Sequence, residues 1–157
     1  MGRAAALRLS WTFVDLDDLT TEALGAASVG EALRRGAAEF RRAEVGALVE
    51  ALKGDRKVLA LGGGTPTAPG AADVLRRAQR GGAVIVYLRA SAATLRARLA
   101  GQVGDRPSLT GADPLVEIET VLAQRDGPYL SLADVVLDVD GLAEAEVVDR
   151  VARLATP

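Results

Sequence analysis

Two aspartates near the start of the chain have a spacing that suits phosphoryl-transfer chemistry. Asp15 and Asp17 end a short apolar run, within the sequence Phe-Val-Asp-Leu-Asp. Behind a phosphate-binding loop, one carboxylate at the end of a strand orients Mg²⁺ through water, and another positions an attacking hydroxyl. Paired acids after a strand are also common helix caps, and by themselves these two favour that structural role.

Three consecutive glycines, Gly62 to Gly64, follow the apolar residues 57–61. Residues without a Cβ atom allow the backbone to approach a ligand closely. A turn needs only one or two glycines, so the longer run favours a binding role.

The segment Phe40-Arg41-x-x-Glu44 places an arginine and a glutamate three residues apart on a predicted helix. Such a pair is ordinarily a solvated ion pair that contributes ~0.2–0.5 kcal/mol. The alternative is an arginine fixed by Glu44 so that its planar guanidinium binds a carboxylate through two parallel hydrogen bonds. By itself the motif favours the solvated pair.

These residues lie on predicted elements that alternate between strand and helix. The strands are predicted at 12–15, 57–61, 83–88 and 135–139, the helices at 2–9, 28–36, 39–52, 72–79, 92–99, 115–124 and 142–154, and a long loop at 101–113. Short strands that are nearly continuous in apolar residues predict an α/β protein with a parallel sheet and helices on both faces. Ligands bind such sheets at the carboxyl ends of the strands, so the aspartates and the glycine run are expected to share one crevice.

The amino-acid composition excludes several classes of function. The 157 residues fit a single domain, and with 3% aromatic residues the core must consist of Leu, Val and Ala. The 19 basic and 21 acidic residues give a net charge of −2, which attracts neither nucleic acid nor an anionic membrane. The chain has no cysteine and no histidine, which excludes disulfides, thiolate metal sites and histidine bases. Because no apolar stretch approaches the ~20 residues of a membrane span, we expect a soluble cytoplasmic protein.

Taken in order, the motifs resemble those of the shikimate kinase family. The chain reads F-x-D-x-D, G-x-x-x-F-R-x-x-E, a strand followed by G-G-G, D-R-P and finally R-x-x-x-Y, between residues 2 and 152. The resemblance implies a three-layer P-loop kinase fold and ATP-dependent phosphorylation of the 3-hydroxyl of shikimate, in aromatic amino-acid (chorismate) biosynthesis. It also implies ATP and Mg²⁺ as cofactors, shikimate as the small-molecule partner and a complete protein that is a monomer, with no nucleic-acid or membrane partner.

The resemblance also implies roles for residues on the acceptor side. Asp17 resembles the aspartate that holds the acceptor hydroxyl and takes its proton, and Asp15 resembles the acid near the magnesium ion. Arg41, braced by Glu44, resembles one of two arginines that bind the shikimate carboxylate, and Arg125 resembles the other.

Further residues are assigned in the same way. The backbone donors that line the acceptor pocket correspond to Gly62, Gly63 and Gly64. Arg106, which precedes Pro107, resembles the lid arginine that closes over the nucleotide phosphates, within a lid loop at 101–114. Arg98 resembles the arginine that stacks on adenine.

The phosphate-binding loop of such a kinase, G-x-x-x-x-G-K-[ST], does not occur in the sequence. Lys53 and Lys57 cannot replace its lysine, because neither follows a glycine-rich turn between a strand and a helix. We therefore expect that the chain lacks its first strand and this loop, through truncation or through real loss, and that it is inactive as it stands. Two alternatives stay open: a non-catalytic shikimate-binding relative, and another small-molecule kinase of the same fold.

A missing first strand also has a consequence for folding. In the family this strand is central, so its absence predicts a gap of about two ~4.8 Å strand spacings between the strands at 57–61 and 83–88. Buried unpaired amides cost on the order of 1–3 kcal/mol each, against the ~5–15 kcal/mol that stabilise a typical domain. We expect poor stability, direct pairing of these two strands, or a strand supplied by another segment or copy.

Overall fold

Helices and parallel strands alternate along the residues that the computed structural model describes, 1–99 and 117–155. The elements are α1 (Gly2–Leu9), β1 (Thr12–Asp15), α2 (Leu16–Ala23), α3 (Val29–Arg35), α4 (Ala37–Ala51), β2 (Lys57–Ala60), a 3₁₀ turn (Thr65–Thr67), α5 (Ala71–Arg80), β3 (Val86–Arg89), α6 (Ala92–Leu99), α7 (Ile118–Leu132), β4 (Val135–Asp138) and α8 (Glu144–Leu154). The predicted α/β class is confirmed. None of the described helices has the length and apolar composition that crossing a membrane requires.

Two compact units divide the chain, one formed by Met1–Val84 with Leu142–Pro157 and the other by Ile85–Gly141. In the first unit β1 pairs in parallel with β2, and in the second β3 pairs in parallel with β4. Among the described residues β2 pairs with β1 and β3 pairs with β4, so direct pairing of β2 with β3, one of the three outcomes expected for a missing first strand, is wrong. Each described strand has its partner within its own unit.

The core of the first unit explains why a glutamate lies in its interior. Helix α1 packs on both strands and on α8, and α2 packs on α4. The buried face of α4 consists of Phe40, Glu44, Leu48 and Ala51, which recur at the helical spacing of three or four residues. Phe40 and Leu48 lie one turn before and one turn after Glu44, so the apolar stripe that buries them buries the carboxylate as well.

Capping residues fix where the helices near the site begin. Ser28 caps α3, its hydroxyl accepting the Glu31 N–H at 3.1 Å. Helix α2 was not predicted; it starts directly after β1, where the Asp15 carboxylate accepts the Asp17 N–H at 3.0 Å. Acidic side chains in the first turn are favourable at the positive end of the helix dipole, which helps this short helix to form.

Two boundaries in the second unit differ from the sequence prediction. Strand β3 begins at Val86 rather than at 83, and helix α7 runs to Leu132 instead of ending at 124. The helix passes through Pro128, a residue that costs about 3 kcal/mol in a helix interior. Packing offsets this cost, because Tyr129 meets Tyr87 edge-on at a centroid distance of 5.0 Å and Leu132 is buried.

Candidate active site

The glycine run after β2 forms a tight turn that brings backbone and side chains together. Gly62 and Gly64 are buried, and Gly63 between them is exposed. The Thr65 N–H donates to the Gly62 carbonyl at 3.0 Å, and the Thr67 N–H donates to the Gly64 carbonyl at 3.1 Å. These bonds fold the chain back into a single 3₁₀ turn directly beyond the carboxyl end of β2.

Gly62 is surrounded by three polar side chains. A Cβ atom at this position would collide with Oδ1 of Asp17 and would lie 3.1 Å from Oε1 of Glu44 and 3.2 Å from Oγ1 of Thr65. A side chain at Gly62 would therefore occupy the place where these oxygens converge. Asp17, which follows β1, therefore lies against the glycine run that follows β2, and the predicted proximity of these two motifs is confirmed.

Gly64 provides room for the guanidinium of Arg41. A Cβ atom at Gly64 would lie 2.5 Å from Nη1 and 2.6 Å from Cζ of that arginine. The φ angle of Gly64 is −102°, which any residue can adopt. Glycine is therefore needed here for the space that a missing Cβ atom leaves, and not for its backbone conformation. The guanidinium therefore lies directly against bare backbone.

Glu44 bridges Arg41 and Thr65 through its two carboxylate oxygens. Nη1 of Arg41 donates to Oε2 at 2.6 Å, and Oγ1 of Thr65 donates to Oε1 at 2.6 Å. The Glu44 side chain is 1% exposed and that of Arg41 is 26% exposed. On the same helix Glu50 and Lys53 form an ion pair with both side chains 67% exposed. The Arg41–Glu44 pair is thus a buried brace, and the solvated pair that the motif alone favoured is wrong.

The carboxyl group of Asp17 has a perturbed proton affinity. Burial raises the pKa of this carboxyl above its usual 3.8, the charges of Asp15 and Glu44 raise it further, and Arg41 lowers it. Like charges and partial desolvation disfavour the ionised form, so the group binds a proton more readily than an exposed aspartate. Carboxyls with such pKa values cluster at sites of acid–base chemistry.

The remaining predicted site residues differ in where they lie in the fold. Asp15 acts as the helix cap described above. Arg125 is half-buried on α7, and Arg98 on α6 donates to the Val139 carbonyl at 3.4 Å, both within the second unit. Arg106 and the predicted lid at 101–114 lie outside the described residues. The structure brings together Asp17, Arg41, Glu44, Gly62 and Gly64, while the predicted role of each stays a prediction.

Sequence reasoning did not assign Thr65 to the site. Its side chain is fully buried and holds one oxygen of Glu44. The available signal was its place immediately after the glycine run, where a hydroxyl next to bare backbone is well placed to bond a neighbouring polar group.

A second cluster, in the other unit, was also missed. Arg89 binds Asp126 through two hydrogen bonds of 3.0 and 2.8 Å, and the Tyr87 hydroxyl donates to the same carboxylate at 3.0 Å. Burial and this hydrogen bond raise the pKa of Tyr87 to about 12, and the bond from Arg89 lowers the pKa of Asp126. The cluster borders a cavity of about 430 Å³ that is also lined by Asp138 and Asp140. Because Asp126 already binds Arg89, the cluster holds β3 and α7 together.

Binding of ATP and a divalent metal requires particular ligands. A kinase binds Mg²⁺ through one or two carboxylates together with the nucleotide phosphates. No group of three metal-ligating side chains occurs in residues 1–99 and 117–155, and the sequence has no glycine-rich loop with a lysine and a hydroxyl to cradle the phosphates.

Comparisons with known proteins agree with this fold. The family model for shikimate kinase matches residues 1–156. A shikimate kinase of Oleidesulfovibrio alaskensis is 40% identical over 139 residues, covering 87% of this chain and 78% of that protein. One of Stenotrophomonas maltophilia strain K279a is 36% identical over 157 residues, covering 99% of this chain and 84% of that protein.

Solved structures give the same result for the fold. The shikimate kinase of Bacteroides thetaiotaomicron superposes with a TM-score of 0.83 at 27% identity, covering 99% of this chain and 90% of that one. That of Acinetobacter baumannii, solved in complex with shikimate, gives a TM-score of 0.85 at 24% identity, covering 98% of this chain and 83% of that one.

The fold and these matches define a small-molecule phosphotransferase of the P-loop kinase type. The chain belongs to the shikimate kinase family. The family resemblance seen in the sequence is therefore confirmed, and with it the enzyme class. Membership in a kinase family implies ATP and a divalent metal in general terms.

Proposed function

We propose that residues 1–157 form the acceptor-binding part of a shikimate kinase, which phosphorylates the 3-hydroxyl of shikimate with ATP. This proposal rests on the position of the Arg41 guanidinium, which lies between the buried Glu44 carboxylate and the backbone of Gly64. Family membership and the shikimate complex of the Acinetobacter baumannii relative support the choice of acceptor.

Arg41 is suited to bind the carboxylate of the acceptor. Nη1 of Arg41 donates to Glu44, and the partly exposed guanidinium has further N–H groups that can bind a ligand. A planar guanidinium binds a carboxylate with two parallel hydrogen bonds, which fixes orientation as well as charge. The backbone of Gly62 to Gly64 would line the same pocket. Arg125 is proposed as a second carboxylate ligand on the family resemblance alone.

Asp17 is suited to act on the acceptor hydroxyl. Its raised pKa makes the carboxylate a better proton acceptor, and a positioned base of this kind contributes to catalysis when it is within hydrogen-bond reach of the hydroxyl. Asp15 is proposed near the magnesium ion, Arg106 over the nucleotide phosphates, and Arg98 on the adenine. These three roles rest on the resemblance to the family.

We also propose that the 157 residues do not transfer phosphoryl groups by themselves. Phosphoryl transfer depends on positioning and electrostatic stabilisation by a phosphate loop, its lysine and a metal-binding hydroxyl. The sequence has no motif that supplies them. We further propose that residues 1–157 act as one domain with a lid at 101–114, and that the protein works in the cytoplasm with a small molecule as its partner. The chain is also proposed to accept a strand from another segment or copy.

A coupled spectrophotometric assay tests this proposal. The 157-residue chain is compared with the same chain carrying, at its N-terminus, a strand followed by a phosphate loop of the sequence G-x-x-x-x-G-K-[ST]. We expect shikimate-dependent ATP turnover only from the extended protein. Ordinary turnover by the 157 residues alone would contradict the second part of the proposal. If the extended protein binds shikimate and ATP without turnover, the chain is a non-catalytic relative and the kinase assignment fails.

A further inference from the structure

Thr65 completes the hydrogen bonding of the buried Glu44 carboxylate. Arg41 donates to one oxygen and the Thr65 hydroxyl donates to the other, each at 2.6 Å. Thr65 and Glu44 are both fully buried, so bulk water has no access that would replace the hydroxyl. The two carboxylate oxygens therefore bind two different side chains.

The turn around Thr65 holds its hydroxyl in place. The Thr65 N–H donates to the Gly62 carbonyl and its carbonyl accepts the Ala68 N–H, both at 3.0 Å. A β-branched side chain has few allowed rotamers on such a fixed backbone. Thr65 is therefore a rigid donor, and the Glu44 side chain adjusts to it.

We propose that Thr65 is a positioning residue for acceptor recognition. Its hydroxyl fixes the plane of the Glu44 carboxylate, and this plane fixes the guanidinium of Arg41 so that its remaining N–H groups face the acceptor carboxylate. The inference rests on the proposed function, in which Arg41 binds that carboxylate. Without the hydroxyl the charge of Arg41 is unchanged, and only its orientation is lost.

Calorimetric titrations of the 157-residue chain test this role with two ligands, shikimate and its uncharged methyl ester. Thr65→Val removes the hydroxyl at nearly constant shape, and Thr65→Ser keeps it. Because Arg41 keeps its charge and loses only its fixed orientation, the valine variant should bind shikimate roughly tenfold more weakly, and the serine variant within roughly threefold of wild type; a tenfold change corresponds to about 1.4 kcal/mol. The ester, which has no carboxylate, should bind all three proteins alike. Thr65→Ala replaces the valine variant if that protein does not fold.

Thr20→Val is the matched control. Thr20 is buried to the same degree, and its hydroxyl donates to the Leu16 carbonyl within helix α2. This change removes a buried hydroxyl whose hydrogen bond stays within helix α2, so shikimate affinity should stay within roughly twofold of wild type. Wild-type affinity in the Thr65→Val variant, or equal losses for shikimate and the ester, would overturn the proposal.

A second measurement does not require a ligand. The guanidinium ¹⁵N–¹H signals of Arg41 report how firmly its N–H groups are held; they should be sharp in wild type and Thr65→Ser, and broadened by exchange in Thr65→Val. Unchanged signals in Thr65→Val would refute the positioning role. If wild type binds no shikimate, the proposed function fails, while these signals still decide the role of Thr65.

Discussion

Replacing Gly64 with alanine is expected to weaken acceptor binding while leaving the fold intact. The new Cβ atom would lie 2.6 Å from Cζ of Arg41, whereas ordinary contacts lie at 3.4–4 Å. Since the φ angle of Gly64 is −102°, alanine adopts the backbone without strain. The atoms in the way belong to the far end of a flexible side chain, so the guanidinium should move and the turn should not.

The size of the effect follows from this displacement. Increasing the separation from 2.6 to 3.4 Å moves the guanidinium outward by 0.8 Å. Misplacing a binding group by about 1 Å costs on the order of 10²-fold. We therefore expect shikimate affinity to fall roughly 10- to 100-fold, or about 1.4–2.7 kcal/mol. The free energy of unfolding should fall by no more than about 1 kcal/mol, because Arg41 is partly solvated and can keep its pairing with Glu44.

Calorimetric titration with shikimate and urea unfolding together measure both quantities. Gly46→Ala is the matched control, because Gly46 is exposed on helix α4 and a Cβ atom there meets nothing within 4 Å. That variant should keep its affinity and gain roughly 0.5–1 kcal/mol of stability from its better helix propensity. Wild-type affinity in Gly64→Ala would show that the position of the guanidinium does not matter for binding, and the account of the pocket would fail.

Three further predictions concern the charges of the site. Asp17→Asn should raise the melting temperature at neutral pH, because the ionised aspartate is disfavoured in the folded state. Because the pKa of Asp17 is raised, the stability contributed by its protonated carboxyl is complete below pH 3.8 and is lost as the pH rises through the folded-state pKa. The difference in melting temperature between Asp17→Asn and wild type should therefore vanish below pH 3.8. Glu44→Ala should lower the free energy of unfolding in urea by roughly 1–3 kcal/mol, whereas Glu50→Ala, on the exposed pair, should change it by less than about 0.5 kcal/mol. Arg41→Ala should weaken shikimate binding by roughly 2–5 kcal/mol in calorimetry, and Arg41→Lys should not restore it, since an ammonium lacks the planar fork.

Each of these predictions has a clear contrary outcome. A difference in melting temperature between Asp17→Asn and wild type that does not change with pH would show that the carboxyl is not perturbed. Equal losses in Glu44→Ala and Glu50→Ala would remove the distinction between the buried brace and the surface pair. Full binding by Arg41→Lys would mean that a point charge is sufficient for the ligand.

The sequence predicted those elements whose signals are local and strong. Helix α4 was found because its apolar periodicity is clear, and the strands β1 and β2 because their short runs are nearly continuous in apolar residues. Helix α2 was missed because its eight residues include two aspartates and two threonines, and its start depends on the Asp15 cap. The end of α7 was placed too early, since Gly127 and Pro128 signal a break that the packing of Tyr129 overrides.

The sequence predicted which residues of the site lie together better than it predicted their burial and the energies of their interactions. The spacing brought Arg41 and Glu44 together, but an i, i+3 pair has the same spacing on a buried face as on an exposed one. The apolar residues Phe40 and Leu48 lie one turn on either side of Glu44, and they indicate that this face of the helix is buried. The contact between Glu44 and Thr65 joins residues 21 positions apart, and it depends on how α4 packs against the turn after β2, which no local pattern encodes.

The central claim is that the 157 residues contain a shikimate pocket built on Arg41 and the glycine run. An NMR titration of this chain with shikimate, following the amide signals of Gly62, Gly63 and Gly64, tests it most directly. The account predicts saturable shifts of these three amides in the wild-type chain and their loss in Arg41→Ala. Unshifted glycine amides at saturating shikimate, or the same shifts in Arg41→Ala, would contradict it.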